Sequence, residues 1–263
     1  MNFRPDIDII GTGNVAWHLS VALDNNGYAV RNVYDRDIKK AEDLASHLYE
    51  GEATESLDLS KTNSSLVIIA VSDDAIEEVS RELILPDGIT VVHTSGSSSM
   101  DVLAFTASNH IGVFYPLQTL TRERKISFKS VPILVEGSDR NTENMLRSLA
   151  SSISRRVEVV NSTRRKLIHL AAVIASNFPM NLMIHAQSLL EKEGIDFGIL
   201  QPLIRETTEK CLELGPQAAL TGPAKRGDLQ VLDEHIALLD ASPRLNEIYR
   251  LISQDILDRN LSP

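Results

Sequence analysis

The residues best placed to do chemistry lie near the amino terminus, in IIGTGNVAWHLS, residues 9–20. Gly11, Gly13 and Ala16 stand in the spacing G-x-G-x-x-A, directly after an apolar β-branched run and at the opening of an amphipathic stretch. Between a strand and a helix, that spacing suits a pyrophosphate. Gly11 permits the tight turn, Gly13 lets the backbone approach the phosphates, and small Ala16 lets the helix press against the sheet. The backbone N–H groups of Thr12 to Val15, chiefly those of Asn14 and Val15, then face the anion at the positive end of the helix. A second apolar run ends at Asp35, about 20 residues further on, where a ribose-binding acid is expected. Asp35 suits the adenosine ribose of NAD and Arg36 the extra phosphate of NADP, so these two neighbours point to opposite cofactors and both stay open. Two more apolar runs end in AVSDD (residues 70–74) and HTSGS (residues 93–97). Val71, Ser72 and Ser95 there offer small groups where a ribose or nicotinamide passes, Asp73 reads as the cap of the next helix, and His93 reads as a core histidine.

A second group of polar residues lies in KLIHLAAVIASN, residues 166–177. Hydride transfer to a C=O or C=N bond calls for a proton donor and a positioned hydrogen-bonding group. At about 100° per residue, Lys166 and Asn177 differ by roughly 20° around a helix axis, as do His169 and Ser176, so one face carries all four. His169 is the expected proton donor or acceptor, Asn177 orients the substrate, and Lys166 stabilises negative charge. A plainer reading joins Lys166 to Arg164 and Arg165 as a solvated basic start to the helix. In ALTGPAKRGD, residues 219–228, Gly222-Pro223 and Gly227 force a loop and Asp228 caps the next helix. If that loop folds over a cleft, Thr221, Lys225 and Arg226 can pair with an anion. In GVFYPLQTL, residues 112–120, Gln118 has the reach to enter the cleft, though a plain loop role also serves. Cys211, the single cysteine, reads as a packing or surface thiol.

The elements that must hold these residues follow from periodicity. Strand-like runs cover residues 7–10, 29–34, 66–71, 89–93, 111–114, 131–135 and 157–160, with helical patterns such as 15–23, 38–48 and 74–83 between them. That alternation predicts an α/β domain over residues 1–160, a doubly wound and mostly parallel sheet. LVIIAV, residues 66–71, suits a strand buried on both faces. After Val160 the strands stop and an all-α domain is expected over residues 161–263. Its first helix is capped at Asn161 or Ser162 and runs toward Leu190, kinked or interrupted at Pro179. Helices over 197–214, 229–239 and 243–257 follow. With no Gly/Ser linker, the two parts are expected to share an interface.

Composition narrows the class. The 263 residues carry 26 basic and 36 acidic side chains, a net charge of −10, with 43% hydrophobic residues. Of that charge, −8 lies in residues 1–160 (15 basic, 23 acidic) and −2 in residues 161–263 (11 and 13). Such acidity disfavours nonspecific capture of nucleic acid or anionic membrane. One cysteine excludes an internal disulfide or a cysteine-rich zinc site, and a reducing, cytoplasmic setting is expected. The longest uninterrupted apolar runs are six residues, 66–71 and 170–175, so no membrane span is expected. The opening MNFRPD lacks a secretory signal's apolar stretch, and a folded domain is expected from the outset. A helical half of about 100 residues, rich in Leu, Ile and Ala, is small for an independent core, and a homodimer through that half is expected.

Taken in order over nearly the whole chain, GTGNVA, HTSGS, FYPLQTL, KLIHLAAVIASN and LTGPAKRGD resemble an uncharacterised family of Rossmann-like proteins whose C-terminal half is a domain of unknown function, the 2520 type. That family is similar to pyrroline-5-carboxylate reductase, to deazaflavin-dependent NADP oxidoreductases and, more distantly, to the β-hydroxyacid dehydrogenases of the 6-phosphogluconate-dehydrogenase type. The resemblance implies a nicotinamide-binding N-domain, a helical dimerisation domain and a cleft between them, but no established substrate; the glycine fingerprint and the polar helix face lead to the expectation of an NAD(P)-dependent oxidoreductase acting on a small carbonyl or imine compound. A nucleotide-sensing dimer without turnover and a deazaflavin-linked NADP reductase are the alternatives. Relatives often carry His-Pro where this chain has Tyr115-Pro116, which leaves that position without an assigned role. β-Hydroxyacid dehydrogenases use a helix lysine and a following asparagine. Lys166 and Asn177 match those only loosely, because the spacing differs.

Overall fold

A computed structural model describes residues 4–261; residues 1–3 of the opening MNFRPD lie outside it. By backbone contacts the chain divides into two compact units, residues 1–177 and 178–263.

The first unit is built on eight strands: β1 (Ile7–Ile10), β2 (Val30–Tyr34), β3 (Glu52–Thr54), β4 (Leu66–Ile69), β5 (Thr90–His93), β6 (His110–Pro116), β7 (Ile133–Gly137) and β8 (Val157–Val159). They form one sheet in the order β3-β2-β1-β4-β5-β6-β7-β8. Every neighbouring pair is parallel except β6 and β7, where Phe114 lies opposite Val135 in antiparallel register. β1 sits between β2 and β4, with Ile10 opposite both Tyr34 and Ile69. The chain therefore reverses direction across the sheet at β1, the switch point outside which ligands bind in open α/β sheets.

Alternating side chains explain why both faces of the sheet are covered. In β4, Leu66 and Ile68 belong to one apolar cluster and Val67 and Ile69 to the other, and all four are fully buried. The first cluster takes Leu19 and Leu23 of α1 (Asn14–Asp24), Leu44 of α2 (Ile38–Ala45) and Leu146 and Leu149 of α4 (Arg140–Ile153). The second takes Ile76 and Val79 of α3 (Ile76–Glu82) and Leu103 of a short 3₁₀ segment. The doubly wound, mostly parallel arrangement expected from the periodicity is thus present. The edge strand β3 was not anticipated, because the three residues EAT carry no alternating apolar signal.

The helix after β8 starts where expected. Asn161 caps α5 (Ser162–Ala172) by accepting from the Arg164 N–H at 3.0 Å. The helical run continues to Lys192 with no break at Pro179. Instead, residues 173–177 form a π-helical turn ahead of α6 (Phe178–Lys192), a widened turn that can absorb a missing backbone donor. The run of 31 residues contains an 18-residue window of mean hydropathy 1.6, long and apolar enough by those two measures to cross a membrane. Counting uninterrupted apolar runs missed this, since Ser176, Asn177 and Asn181 break the runs without lowering the window average far.

The second unit is helical, with α6, α7 (Gln201–Leu214), short α8 (Pro216–Ala219) and α9 (Pro223–Arg226), α10 (Leu229–Leu238) and α11 (Pro243–Leu261). Asp228 caps α10, accepting from the Val231 N–H. Few of its side chains are buried, among them Leu232 and Leu239, whereas Leu203, Leu212, Leu238 and Leu251 are each more than 60% exposed.

Candidate active site

The loop after β1 requires its glycines in different ways. Gly11 has φ +107°, and a Cβ there would sit 2.6 Å from the Ala70 carbonyl oxygen, so only glycine fits between β1 and β4. Gly13 is extended and faces open space, with no heavy atom within 4 Å of where its Cβ would be. It begins α1 without a capping side chain, and the first turn carries no acidic residue. The leading N–H groups of α1 and its positive end thus face an open groove, the arrangement that suits a pyrophosphate. Ala16 is fully buried beneath the helix.

The groove, about 600 Å³, runs along the carboxyl ends of five adjacent strands. At β2 it is lined by Asp35, Arg36 and Lys40, at β1 by Gly11 to Val15, at β4 by Val71, Ser72 and Asp73, at β5 by Ser95 and Gly96, and at β6 by Tyr115. His169 of α5 and Gln118 close the far end. Four strand spacings of about 4.8 Å give this row a length of about 19 Å. All ten residues read from the sequence as cofactor-binding line this one groove.

At the β2 end, the Thr12 hydroxyl donates to Asp35 Oδ2 at 2.5 Å and the Asp37 N–H donates to Asp35 Oδ1 at 3.0 Å. Each carboxylate oxygen thereby ties the glycine loop or the α2 start to the tip of β2. Asp73 does not cap the helix that follows it. Ser72 holds the cap position without a side-chain bond, and the Asp73 carboxylate accepts from the Ser97 hydroxyl.

The far end is organised around two histidines. His93 is fully buried, and its Nδ1 accepts from the Ser95 N–H at 3.1 Å, which leaves Nε2–H to donate to the Ser99 carbonyl at 3.2 Å. Burial, with the nearby Arg165 guanidinium, holds its pKa down at about 4, so it is a neutral strut. The Ser95 hydroxyl accepts from the N–H groups of Ser97 and Ser98, fixing the loop after β5. Gly96 of that loop presses on the second histidine. A Cβ at Gly96 would lie 2.5 Å from His169 Nδ1 and 2.7 Å from Tyr115 Cζ.

His169 Nδ1 is 3.0 Å from the Tyr115 hydroxyl, with the rings edge to face. Burial and the Asp73 carboxylate raise the phenol pKa above its ordinary value, so Tyr115 stays protonated and shares a hydrogen bond with Nδ1. Nothing local in the sequence marks this role of Tyr115, because its partner is 54 residues away.

Of the four polar residues expected on one helix face, Ser176 and Asn177 join His169 along a second cavity of about 660 Å³, which shares Tyr115 and Gln118 with the groove. Lys166 is exposed and lines neither cavity. The π turn over positions 173–177 is wider than an α-helical turn and rotates less than about 100° per residue, which shifts Asn177 away from the phase of Lys166. Nor is the helix start uniformly solvated: Arg164 and Lys166 are exposed, but Arg165 between them is fully buried. Its guanidinium donates to the Glu136 carboxylate of β7 and to the Ser98 carbonyl, and Nη2 donates to the Ser162 hydroxyl at 3.2 Å. Glu136 also accepts from the Ser162 N–H and hydroxyl, both at 2.8 Å. This knot joins β7, the start of α5 and the loop after β5. The Thr221–Asp228 segment lies in the second unit, where Thr221, Gly222, Pro223 and Ala224 line an apolar cavity of about 300 Å³ with Leu182 and Tyr249.

Comparison with known proteins agrees with this architecture. Residues 2–114 match a Rossmann-like domain, and residues 131–256 match the family described as Domain of unknown function (DUF2520). No curated protein matches the sequence. Among solved structures, a Bacteroides fragilis protein provisionally named an NADP oxidoreductase is 35% identical over 97% of this chain and 98% of its own, with a TM-score of 0.89. A reductive aminase from Aspergillus terreus, in complex with NADPH and ethyl-5-oxohexanoate, shares the fold at 16% identity (TM-score 0.71; 98% of this chain, 94% of its own). So does a pyrroline-5-carboxylate reductase from Coxiella burnetii, at 18% identity (TM-score 0.60; 98% and 97%). The matches to the Rossmann-like and DUF2520 models, with a 35% identical relative over nearly the whole chain, thus place this chain in the family of Rossmann-like proteins with a DUF2520 domain.

Proposed function

We propose that this protein is an NADP(H)-dependent oxidoreductase that acts on a small carbonyl or imine compound. The observation that carries this reading is one continuous groove, which begins at the uncapped start of α1 and ends at the Tyr115–His169 pair. The NADP oxidoreductase name of the Bacteroides fragilis relative supports it.

Gly13, Asn14 and Val15 hold the pyrophosphate through backbone N–H groups. Val71, Ser72 and Ser95 flank the path toward Tyr115. A nicotinamide bound along this path supplies or accepts the hydride. Carrying a proton on each nitrogen, His169 gives the Nε2 proton to the oxygen of a carbonyl or the nitrogen of a neutral imine as the hydride reaches carbon and is left as the neutral imidazole, while the Tyr115 hydroxyl holds the ring at Nδ1. Asn177 lies along the adjoining cavity, where its amide orients the acceptor.

The preference for NADP rests on the β2 end. Asp35 has both oxygens engaged by Thr12 and Asp37, whereas Arg36 lines the same end of the groove as an exposed cation, with Lys40, 3.8 Å from Asp37, beside it. A phosphate there gains charge-assisted hydrogen bonds of about 1.5–3 kcal/mol each. Calorimetric titration is expected to show NADPH binding at least tenfold tighter than NADH. Arg36→Ala is expected to weaken NADPH by about 10- to 100-fold and to leave NADH within about twofold. Binding of neither nucleotide at millimolar concentration would overturn the cofactor assignment.

The helical unit carries the second part of the proposal, a homodimer. Leu203, Leu212, Leu238 and Leu251 are 63–82% exposed, apolar surface that a second copy of the helical unit would cover. Light scattering at micromolar concentration is expected to give twice the 29.0 kDa chain mass. A mass of 29.0 kDa would contradict it.

A further inference from the structure

We propose that the acceptor bound beside the Tyr115–His169 pair is an uncharged carbonyl compound or a cationic imine with an apolar flank, and that a carboxylate or phosphate on it is disfavoured. The inference rests on the oxidoreductase reading and names the substrate class of the same site.

The cavity beyond the pair is walled by Leu117, Leu120, Ala172 and Val173, with the neutral polar groups of Gln118 and Asn177 among them. None of its lining residues, all of them described, is Lys, Arg, Asp or Glu. The fixed charges that reach the pair from outside that cavity favour a cation over an anion. Asp73 lines the groove with Tyr115 and His169, and its carboxylate raises the phenol pKa. Arg165 acts on the phenol in the opposite sense and more weakly than Asp73, but it is fully buried, paired with Glu136 and bonded to the Ser98 carbonyl, so it offers no donor to a ligand in either cavity. Lys166, the cation nearest in sequence, lines neither cavity. An anionic acceptor would therefore lose its hydration without gaining a bidentate partner, while Asp73 repels it. A neutral ketone loses little on entering the same walls, and an iminium carbon gains from Asp73.

The test uses ligands that do not accept hydride. Protein saturated with NADP⁺ is titrated by calorimetry with 2-pyrrolidinone and with its 5-carboxylate, which differ only in the acid group. The neutral lactam is expected to bind at least tenfold more tightly. Equal or tighter binding of the carboxylate would overturn the inference, and so would binding of neither ligand. Val173→Arg places a cation on the cavity wall and is expected to raise carboxylate affinity at least tenfold, with NADP⁺ affinity as the control for folding; no gain would also count against it. NADPH oxidation by 1-pyrroline and cyclohexanone reads the underlying reaction separately. Lactam discrimination without turnover of any acceptor would sink the oxidoreductase reading and leave the cavity's selectivity standing.

Discussion

His169→Ala is expected to lower kcat by about 10²- to 10⁴-fold, the range for losing a positioned general acid, while NADPH affinity stays within about twofold. The separation follows from where the residue sits. His169 closes the far end of the groove, whereas the phosphate-binding N–H groups belong to the loop after β1. Tyr115→Phe keeps the ring and removes only the hydroxyl that is 3.0 Å from Nδ1. It is expected to cost about tenfold, because the imidazole then loses its fixed orientation but not its proton. The double variant is expected to be no slower than His169→Ala alone, since Tyr115 acts through His169 and effects within one unit are not additive. Steady-state kinetics with NADPH and an uncharged imine measures all three. An unchanged kcat in His169→Ala would mean that water or another group supplies the proton, and a double variant far slower than His169→Ala would give Tyr115 a role of its own.

What could be read from the letters alone divides along physical lines. Gly11, Gly13 and Ala16 announce themselves because each role is local: a positive φ, an open approach and a small contact are requirements of a few consecutive residues. The same holds for LVII in β4, where burial on both faces leaves an unbroken apolar run. Arg165 shows the opposite case. It stands in the run RRK, whose neighbours are solvated, and nothing local distinguishes it from them. Its burial depends on Glu136, 29 residues earlier, and on the Ser98 carbonyl, 67 residues earlier. Tyr115 and His169 were each visible as polar residues, but their pairing depends on how Gly96 lets α5 approach the end of β6. The Asp73 cap was a reasonable local expectation that lost to a longer-range partner, Ser97. The face shared by Lys166 and Asn177 assumed an ideal helix and met a π turn.

Arg165→Met is expected to destabilise the sheet unit by about 3–5 kcal/mol, the usual effect of stranding one partner of a buried ion pair. Arg165 is fully buried and the Glu136 side chain only 14% exposed, so without the guanidinium the carboxylate keeps its desolvation cost and loses its counter-charge. The pair itself is not a large source of stability, since the guanidinium Nε has no partner among the described residues. Removing both charges should therefore recover much of the loss: Arg165→Met with Glu136→Gln is expected to be at least 2 kcal/mol more stable than Arg165→Met alone. Urea unfolding followed by the fluorescence of Trp17, the single tryptophan and a residue of α1, reports on the sheet unit directly. Arg165→Lys separates positioning from stability. It keeps the charge for Glu136 but gives up the planar fork that also reaches the Ser98 carbonyl, so the loop carrying Ser95 and Gly96 loses an anchor next to His169. That variant is expected to bind NADPH normally and to turn over about tenfold more slowly, with the acidic limb of its pH–rate profile displaced. Wild-type turnover in Arg165→Lys would leave Arg165 a purely structural residue. A loss below about 1 kcal/mol in Arg165→Met would show that water reaches Glu136 and that the ion pair is not sealed from solvent.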